Sequence, residues 1–146
     1  MNAADLKKYG LKPVARVHLA DRELIIDITD PETVKLRKCV YAFLMGGEVV
    51  RIGSSKSPLE NRLKDYTRDI SNALKGKKSP APDQEARKWK ERLPAGSSGV
   101  IYARQGTEVT TPVEKFHVYM DEESILIGKM WETTQHDHIL NRNKHR

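Results

Sequence analysis

The sequence predicts an α+β protein in which a small central antiparallel sheet is flanked by helices. The first sign is an apolar run, residues 40–45, followed by Gly46-Gly47 and a return segment, residues 48–53, as in a tight β-hairpin. The second is a strand-like segment, residues 99–104, that precedes another helical pattern. The third is an amphipathic helix after the hairpin, with apolar residues spaced by three and four: Leu59, Leu63, Tyr66, Ile70 and Leu74.

Residues 1–37 predict a β-rich extension ahead of this core. A short helix at residues 3–9 is expected to end at Gly10. Residues 14–19 alternate apolar and basic side chains, and residues 23–28 are rich in β-branched side chains, so the two segments suit a hairpin. Such a hairpin either extends the core sheet or contacts DNA through Arg16 and His18.

The helix after the core hairpin has a predicted start at Ser57. Ser57 is a candidate cap, and Pro58 suits a first helical position because no N–H is needed there. Residues 75–82 hold three lysines, a glycine and two prolines, which predicts a loop. Asp83 is the expected cap of a second helix, residues 84–93.

The last part of the chain predicts one more strand and one long helix. Residues 99–104 form the strand, and residues 116–120 are a further apolar run. Asp121 is the expected cap of a helix over residues 122–132. These patterns divide the chain into an N-terminal extension (1–37), a core (38–135) and a basic C-terminal tail (136–146).

Composition predicts one domain with an anionic partner. The 146 residues suffice for one hydrophobic core. The formal net charge of +6 favours nucleic acid as that partner, although a basic surface also serves solubility alone. No apolar run is long enough for a membrane span, and residues 1–10 lack the apolar centre of a secretion signal. Cys39 is the single cysteine, which excludes an internal disulfide and fits a reducing cytoplasm.

The hairpin and its helix resemble the GIY-YIG nuclease family, and its restriction-endonuclease-like members in particular. Cys39-Val40-Tyr41 stands where that family has its first motif, and Arg51-Ile52-Gly53 stands where it has its second. Arg62 matches the family's helix arginine, and Tyr66 matches a place often held by His or Tyr. Both motifs depart from the family at their first position, where this chain has Cys39 and Arg51. Some restriction enzymes of the family also have a basic residue at the first position of the second motif.

This resemblance implies a metal-dependent endonuclease that hydrolyses double-stranded DNA, of a restriction type or from a mobile element. It assigns Tyr41 as the general base, Arg51 and Arg62 as stabilisers of the phosphate and the transition state, and Tyr66 to the same group. A phenol ordinarily has a pKa near 10, so Tyr41 acts as a base only where nearby cations favour the phenolate. The alternative to a catalytic role is that both tyrosines pack in the hydrophobic core, with their hydroxyls at the edge of that core.

In this family a glutamate on a late helix, followed by Leu-Ile, binds one divalent metal ion. Glu123 begins the matching pattern and is the predicted ligand, with Glu122 and Glu132 as alternatives. The family's asparagine, about twelve residues on, corresponds to Gln135, and Asn141 lies farther along. One carboxylate with several waters suits Mg²⁺ or a similar divalent cation such as Mn²⁺. The metal ligand is expected to share one concave surface with the tyrosine base and the helix arginine.

Polar and basic residues outside this group are predicted to contact DNA. The lysine-rich loop either lays its side chains along the phosphates or is a solvated surface loop. A homodimer is expected if the protein cuts both strands. A non-catalytic nucleic-acid-binding module with the same fold is the alternative to the enzyme. The predicted contacts are Ser54, Ser55, Lys56, Lys75, Lys77, Lys78 and Lys88.

Overall fold

The central sheet of the computed structural model has five strands in the order β2-β1-β5-β3-β4, and every neighbouring pair is antiparallel. The structure describes residues 1–81 and 83–141. The predicted fold class, a central antiparallel sheet flanked by helices, is confirmed. The strands are β1 (Lys12–Ala20), β2 (Glu23–Ile28), β3 (Cys39–Met45), β4 (Glu48–Ser55) and β5 (Gly99–Gln105).

Helices cover both faces of the sheet, and alternation along β3 tells the two faces apart. The helices are α1 (Ala3–Lys8), α2 (Leu59–Leu74), α3 (Asp83–Arg92) and α4 (Tyr119–Thr133). Tyr41 and Phe43 pack in one buried cluster with residues of α2 and α3. Val40 and Ala42 pack in a second cluster with residues of α1 and α4. No helix in residues 1–81 and 83–141 is long and apolar enough to cross a membrane.

The core hairpin forms as predicted. Gly46 and Gly47 have φ angles of 61° and 81°, the left-handed values that a tight two-residue turn between twisted strands requires. β3 then pairs with β4 from Cys39 opposite Ser55 to Met45 opposite Glu48. β4 continues past the predicted end at Gly53, which brings the two serines into the sheet.

Helix α2 begins at Leu59, one residue later than predicted. The prediction that Ser57 caps the helix is wrong, because Pro58 holds the cap position and no side chain caps the first turn. The backbone N–H of Leu59 instead donates to the carbonyl of Leu36, 3.0 Å away. A contact distant in sequence therefore fixes the first turn of α2 beside the end of β4.

Helix α3 packs through a fully buried tryptophan, Trp89, which lies edge-on to Phe43. The helix includes Asp83 as its first residue, and the predicted capping role of the Asp83 side chain lies outside what the structure describes. Residues 142–146 of the predicted tail, and Pro82 of the lysine-rich loop, likewise lie outside the described residues.

The N-terminal extension is built onto the core sheet. β1 and β2 form the predicted hairpin, and Asp21 in its turn has a φ of 58°. β1 also pairs with β5, from Lys12 opposite Ala103 to Val17 opposite Gly99. The hairpin therefore extends the sheet at the side away from β4.

The segment between β5 and α4 differs from the prediction. The apolar run at residues 116–120 is not one element, because β7 (Lys115–His117) pairs with β6 (Glu108–Thr110) and α4 already begins at Tyr119. The predicted cap, Asp121, lies inside the first turn, and Val118 holds the cap position. Because α4 begins earlier than predicted, its acidic first turn lies beside the segment that follows β5, where Glu122 accepts from the N–H of Thr107.

β4 is an edge strand, and part of its open edge is covered by residues that follow α4. The N–H of Leu140 donates to the carbonyl of Val50 at 2.7 Å. The side-chain amide of Asn141 accepts from the N–H of Ile52 and donates to its carbonyl, both at 2.9 Å. An amide side chain thus replaces a neighbouring strand, and it blocks pairing with another chain at this position.

Candidate active site

Two tyrosines meet between β3 and α2. The hydroxyl oxygens of Tyr41 and Tyr66 are 2.7 Å apart, and the rings pack edge to face. Gly53 lies opposite Tyr41 on β4, where an added Cβ would lie 2.3 Å from the Tyr41 hydroxyl oxygen. The glycine of the second motif therefore makes room for the phenol of the first.

Two arginines donate to this pair of hydroxyls. Arg51 on β4 places Nε 2.7 Å from the Tyr66 hydroxyl, and Arg62 on α2 places Nε 3.3 Å from the Tyr41 hydroxyl. The side chain of Arg51 is 14% exposed, whereas that of Arg62 is 44% exposed. The structure thus joins the four predicted residues in one network, the tyrosine–arginine cluster (Tyr41, Arg51, Arg62 and Tyr66).

The environment of Tyr41 works against ionisation of its phenol. Burial raises the pKa of Tyr41 well above its ordinary value of about 10, and the neighbouring Tyr66 raises it further. Arg62 and Arg51 lower the pKa of this phenol, because each cation favours the phenolate, but burial outweighs them. The pKa of Arg62 is raised, chiefly by Tyr41.

Arg62 lines two cavities that meet at the cluster. One, of about 150 Å³, also holds Arg51, Tyr66 and Glu85 on its walls. The other is a shallow groove of about 400 Å³ at the end of β4. We call it the basic groove; its lining residues are Arg37, Ser54, Ser55, Lys56, Ser57, Arg62 and Asp65.

Three of the predicted DNA contacts line the basic groove, and they differ in how far their side chains are exposed to solvent. Lys56 is exposed and Ser54 is half-buried. Ser55 is buried, and its hydroxyl donates to the carbonyl of Ser57 at 2.7 Å, which gives it a structural role in the turn before α2. Ser54 lies two residues after Ile52, so its backbone N–H faces the same outer edge of β4. Arg37, which the sequence interpretation missed, adds a third cation to this groove beside Lys56 and Arg62.

The lysines of the loop and of α3 lie elsewhere. Lys75 follows the end of α2 and forms an ion pair with Glu23 of the N-terminal hairpin. Lys77 and Lys78 are exposed, and Lys88 on α3 is half-buried. Lys75 lies thirteen positions after Arg62, which in a helix corresponds to about 20 Å. Lys75 and the loop lysines that follow it therefore lie at the other end of α2 from the basic groove.

Glu123 lies on α4, across the sheet from Tyr41. It precedes the buried Leu126 and Ile127 by three and four positions, so it shares the helical face that packs on the sheet. Within residues 1–81 and 83–141, no hydrogen bond or ion pair joins Glu123 to the tyrosine–arginine cluster. The expectation that Tyr41, Arg62 and Glu123 share one concave surface is not met, since α4 and α2 cover opposite faces.

Glu123 and Tyr41 nevertheless approach the same end of the sheet. The first turn of α4 is tied to Thr107, just beyond the end of β5. That end of β5 pairs with Cys39, which in turn pairs with Ser55. Because β4 is the edge strand, the outer edge near Ser54 can be reached from both faces.

Glu122, an alternative metal ligand, is a structural residue. Its carboxylate makes a two-point ion pair with Arg104, at 2.7 and 3.1 Å. It also accepts from the backbone N–H and the hydroxyl of Thr107. Burial raises the pKa of Glu122, but the bonds from Arg104 and Thr107 outweigh it and lower the pKa to about 2. Glu132, the other alternative, is exposed on the last turns of α4.

We expect Glu122→Gln to lower the free energy of unfolding at neutral pH by roughly 1–3 kcal/mol, because it leaves Arg104 without its counter-charge. The folded-state pKa is depressed from 4.5 to about 2, so this stabilisation is present above pH 4.5 and is lost as the pH falls toward 2. Urea unfolding of wild type and variant across this range measures it. Glu132→Gln, the matched control, should unfold like the wild type; a Glu122→Gln variant with unchanged stability would contradict the structural role.

Asn141, rather than Gln135, contacts the strand that carries the second motif. Its amide holds both backbone groups of Ile52, as described for the edge of β4. Gln135 is exposed and precedes a short 3-10 helix, His136–His138. The sequence spacing of about twelve residues after Glu123 therefore points to the wrong amide for this contact.

Glu85 is the main residue of this site that the sequence interpretation missed. Its Oε1 accepts from Arg51 Nη1 at 2.9 Å. A signal was available, because Glu85 lies four and eight positions before the apolar Trp89 and Leu93. A carboxylate on the apolar stripe of an amphipathic helix indicates a buried charge that has a partner.

Two solved structures share this fold. Restriction endonuclease HPY188I in complex with product DNA is 16% identical, with a TM-score of 0.52, over 92% of this chain and 82% of that chain. A mutant of bacteriophage T4 EndoII is 20% identical, with a TM-score of 0.56, over 88% of this chain and 93% of that chain. The protein therefore shares its overall fold with these two structures. Its sequence matches no family profile and no curated protein sequence.

Proposed function

We propose that this protein is a metal-dependent endonuclease, of a restriction type, that hydrolyses phosphodiester bonds of double-stranded DNA. The observation that carries the proposal is the tyrosine–arginine cluster, whose half-exposed Arg62 opens onto a groove with two further cations. The fold shared with a restriction endonuclease solved with product DNA supports it. So does the resemblance of the two strand motifs and the helix arginine to GIY-YIG nucleases.

In this mechanism the basic groove binds the phosphate that is cut. Arg62 donates its outer nitrogens to two phosphate oxygens, and Arg37 and Lys56 hold the neighbouring phosphates. The backbone N–H of Ser54 is a further donor at the edge of β4. As water attacks phosphorus, negative charge grows on the phosphate oxygens, and fixed cations lower the energy of that state.

Tyr41 is the proposed general base: its phenol first loses its proton to solvent, and the resulting phenolate then takes the proton of the attacking water. Its hydroxyl already contacts Arg62 and Tyr66, so the phenolate that must form has two neighbours able to donate to it. Arg51 is too buried to lie along DNA, and its role is to stabilise this phenolate from the protein side.

Glu123 is the proposed ligand of a divalent cation, Mg²⁺ or Mn²⁺, which would have to meet the phosphate at the outer edge of β4 because Glu123 and Arg62 lie on opposite faces of the sheet. No group of three or more acidic, His or Cys side chains suited to a metal occurs in the described part of the chain. A single half-buried carboxylate fits a cation that keeps most of its water, as Mg²⁺ does. When bound, such a cation neutralises charge on the phosphate and the leaving oxygen.

Incubation with plasmid DNA and Mg²⁺ or Mn²⁺, with and without a chelator, tests the function. We expect cutting that the chelator abolishes. Linear product without accumulation of nicked circles would indicate coordinated cutting of both strands, for which we propose a homodimer. Cutting that survives the chelator would remove the metal from the proposal.

A non-catalytic DNA-binding module is the second candidate, and the burial of Tyr41 favours it. The residue has no exposed surface and its pKa is raised, which is unfavourable for a base in the DNA-free protein. This candidate predicts salt-sensitive binding of duplex DNA without cutting under any metal condition. A genomic library of targets in the same assay guards against a rare recognition sequence.

The raised pKa of Tyr41 leads to a pH prediction. Below that pKa the phenolate fraction grows tenfold for each pH unit, so the cleavage rate should rise about tenfold per unit from about pH 7 to about pH 9. Single-turnover rates on duplex DNA measure this slope. Tyr41→Phe should lower the rate by about 10²–10⁴-fold. A wild-type rate independent of pH would show that the hydroxyl only donates a hydrogen bond and that the proton goes elsewhere.

A further inference from the structure

Helix α3 contributes a buried carboxylate to the wall of the tyrosine–arginine cluster. Glu85 is 6% exposed, and its Oε1 lies 2.9 Å from Arg51 Nη1. The same nitrogen donates to the carbonyl of Leu140 at 3.0 Å, while Arg51 Nε donates to Tyr66 at 2.7 Å. The guanidinium is therefore held by α2, by α3 and by the segment that follows α4.

We propose that Glu85 is a positioning residue that orients Arg51 on the tyrosine pair and sets how strongly this cation favours the phenolate. The proposal rests on the proposed function, in which Tyr41 gives up its proton. A buried arginine without a counter-charge is strongly unfavourable, so the carboxylate keeps Arg51 inside the protein. The same carboxylate reduces the positive potential that Arg51 exerts on the hydroxyls of Tyr41 and Tyr66.

The two effects of Glu85 on the phenolate are opposite: holding Arg51 in place favours the phenolate, and reducing the positive potential of Arg51 disfavours it. The other acids near the cluster have different partners, so substitutions of Glu85 test the two effects separately. Asp65 also faces the cluster and lies 4.0 Å from Arg62, but it is more exposed than Glu85 and also lies 3.4 Å from Arg68. Asp69 lies 2.9 Å from the same arginine. Glu85 is thus the buried acid in direct contact with an arginine of the cluster. Within residues 1–81 and 83–141, the ionisable groups that face the tyrosine pair are Arg51 on β4, Arg62, Asp65 and Asp69 on α2, and Glu85 on α3.

Glu85→Gln keeps an oxygen that can accept from Arg51, removes the negative charge and replaces the second carboxylate oxygen with an NH2 group. The orientation of Arg51 is then retained and its field on the phenols is stronger. We expect the phenolate to form at a pH lower by about half a unit or more, and DNA cutting near pH 7 to be about threefold faster or more. A residue that only supports the fold does not increase the rate when it is replaced.

Glu85→Ala removes the acceptor as well as the charge, and so gives the opposite result. Arg51 loses one of its anchors and is expected to leave Tyr66, and cutting should fall by about tenfold or more at every pH. Glu91→Gln is the matched control, because Glu91 lies on the exposed side of the same helix. It changes the net charge by the same amount and should leave rate and titration unchanged.

The deciding experiment combines two readouts on the full chain. One is the cleavage rate against pH for wild type, Glu85→Gln, Glu85→Ala and Glu91→Gln. The other is the ultraviolet absorbance of phenolate during alkaline titration, which needs no cleavage; because the chain has five tyrosines, the titration of Tyr41→Phe is subtracted to isolate the contribution of Tyr41. If wild type cuts no DNA with either metal, the proposed function fails, and the titration still tests Glu85. A Glu85→Gln titration that superimposes on those of wild type and Glu91→Gln would overturn the inference.

Discussion

Arg62→Ala is expected to lower the DNA cleavage rate by about 10³-fold, or roughly 4 kcal/mol of transition-state stabilisation. Arg62 is the cation of the cluster that is exposed to the basic groove, and its Nε also holds the hydroxyl of Tyr41. The substitution therefore removes a phosphate donor and a stabiliser of the phenolate together. Because the side chain is half-exposed, unfolding in urea should change by less than about 1 kcal/mol.

Two further substitutions sharpen the test of Arg62. Arg62→Lys keeps the charge but loses the planar fork, so it should recover about tenfold of the lost rate at most. Arg68→Ala is the matched control: Arg68 lies on the same helix, is 63% exposed and pairs with Asp65 and Asp69. Its rate should stay within about threefold of wild type. An Arg62→Ala enzyme that cuts within tenfold of wild type would place the scissile phosphate elsewhere.

Glu123→Gln is expected to lower cleavage by about 10³-fold or more, because the substitution removes the carboxylate proposed to hold the cation. DNA binding in the absence of metal should persist or tighten, since an acid near the phosphates has been neutralised. Binding is measured by fluorescence anisotropy of a labelled duplex, and cleavage in single-turnover reactions with Mg²⁺ and with Mn²⁺.

The suitable control for Glu123→Gln is Glu132→Gln, and not Glu122→Gln. Glu122 ties α4 to Arg104 and Thr107, so its replacement disturbs the fold and confuses the comparison. Glu132→Gln should cut within about tenfold of wild type. If Glu123→Gln cuts normally and Glu132→Gln does not, the ligand is Glu132. If both variants cut normally, α4 holds no metal ligand that matters for cleavage.

Local patterns were sufficient to predict the central part of the fold, and the resemblance to GIY-YIG nucleases pointed to its four polar residues. The hairpin is encoded by Gly46-Gly47 between two apolar runs, and α2 by regular apolar spacing. Pairing of β3 with β4 places Tyr41 close to Arg51, and Arg62 and Tyr66 are one turn apart on α2. The packing of α2 on this hairpin then brings the four side chains into contact. These four residues could be predicted because few contacts distant in sequence are needed to bring them together.

The rest depends on contacts between distant parts of the chain. The start of α2 is set by the carbonyl of Leu36, and no local signal reports a backbone acceptor supplied by another segment. Glu85 and the carbonyl of Leu140 meet Arg51 across 34 and 89 positions. The place of Glu123 depends on which face of the sheet α4 covers, and the amphipathic pattern of one helix leaves that open.

The cover on the edge of β4 has a consequence for the order in which the tyrosine–arginine cluster is assembled during synthesis. The tyrosines and arginines emerge early, but the carbonyl that completes the shell of Arg51, and the amide that closes Ile52, belong to Leu140 and Asn141. A nascent chain that stops short of them keeps an open strand edge and a buried arginine with one anchor missing. The shell of Arg51 is therefore completed only when residues 140 and 141 have been added to the folded core.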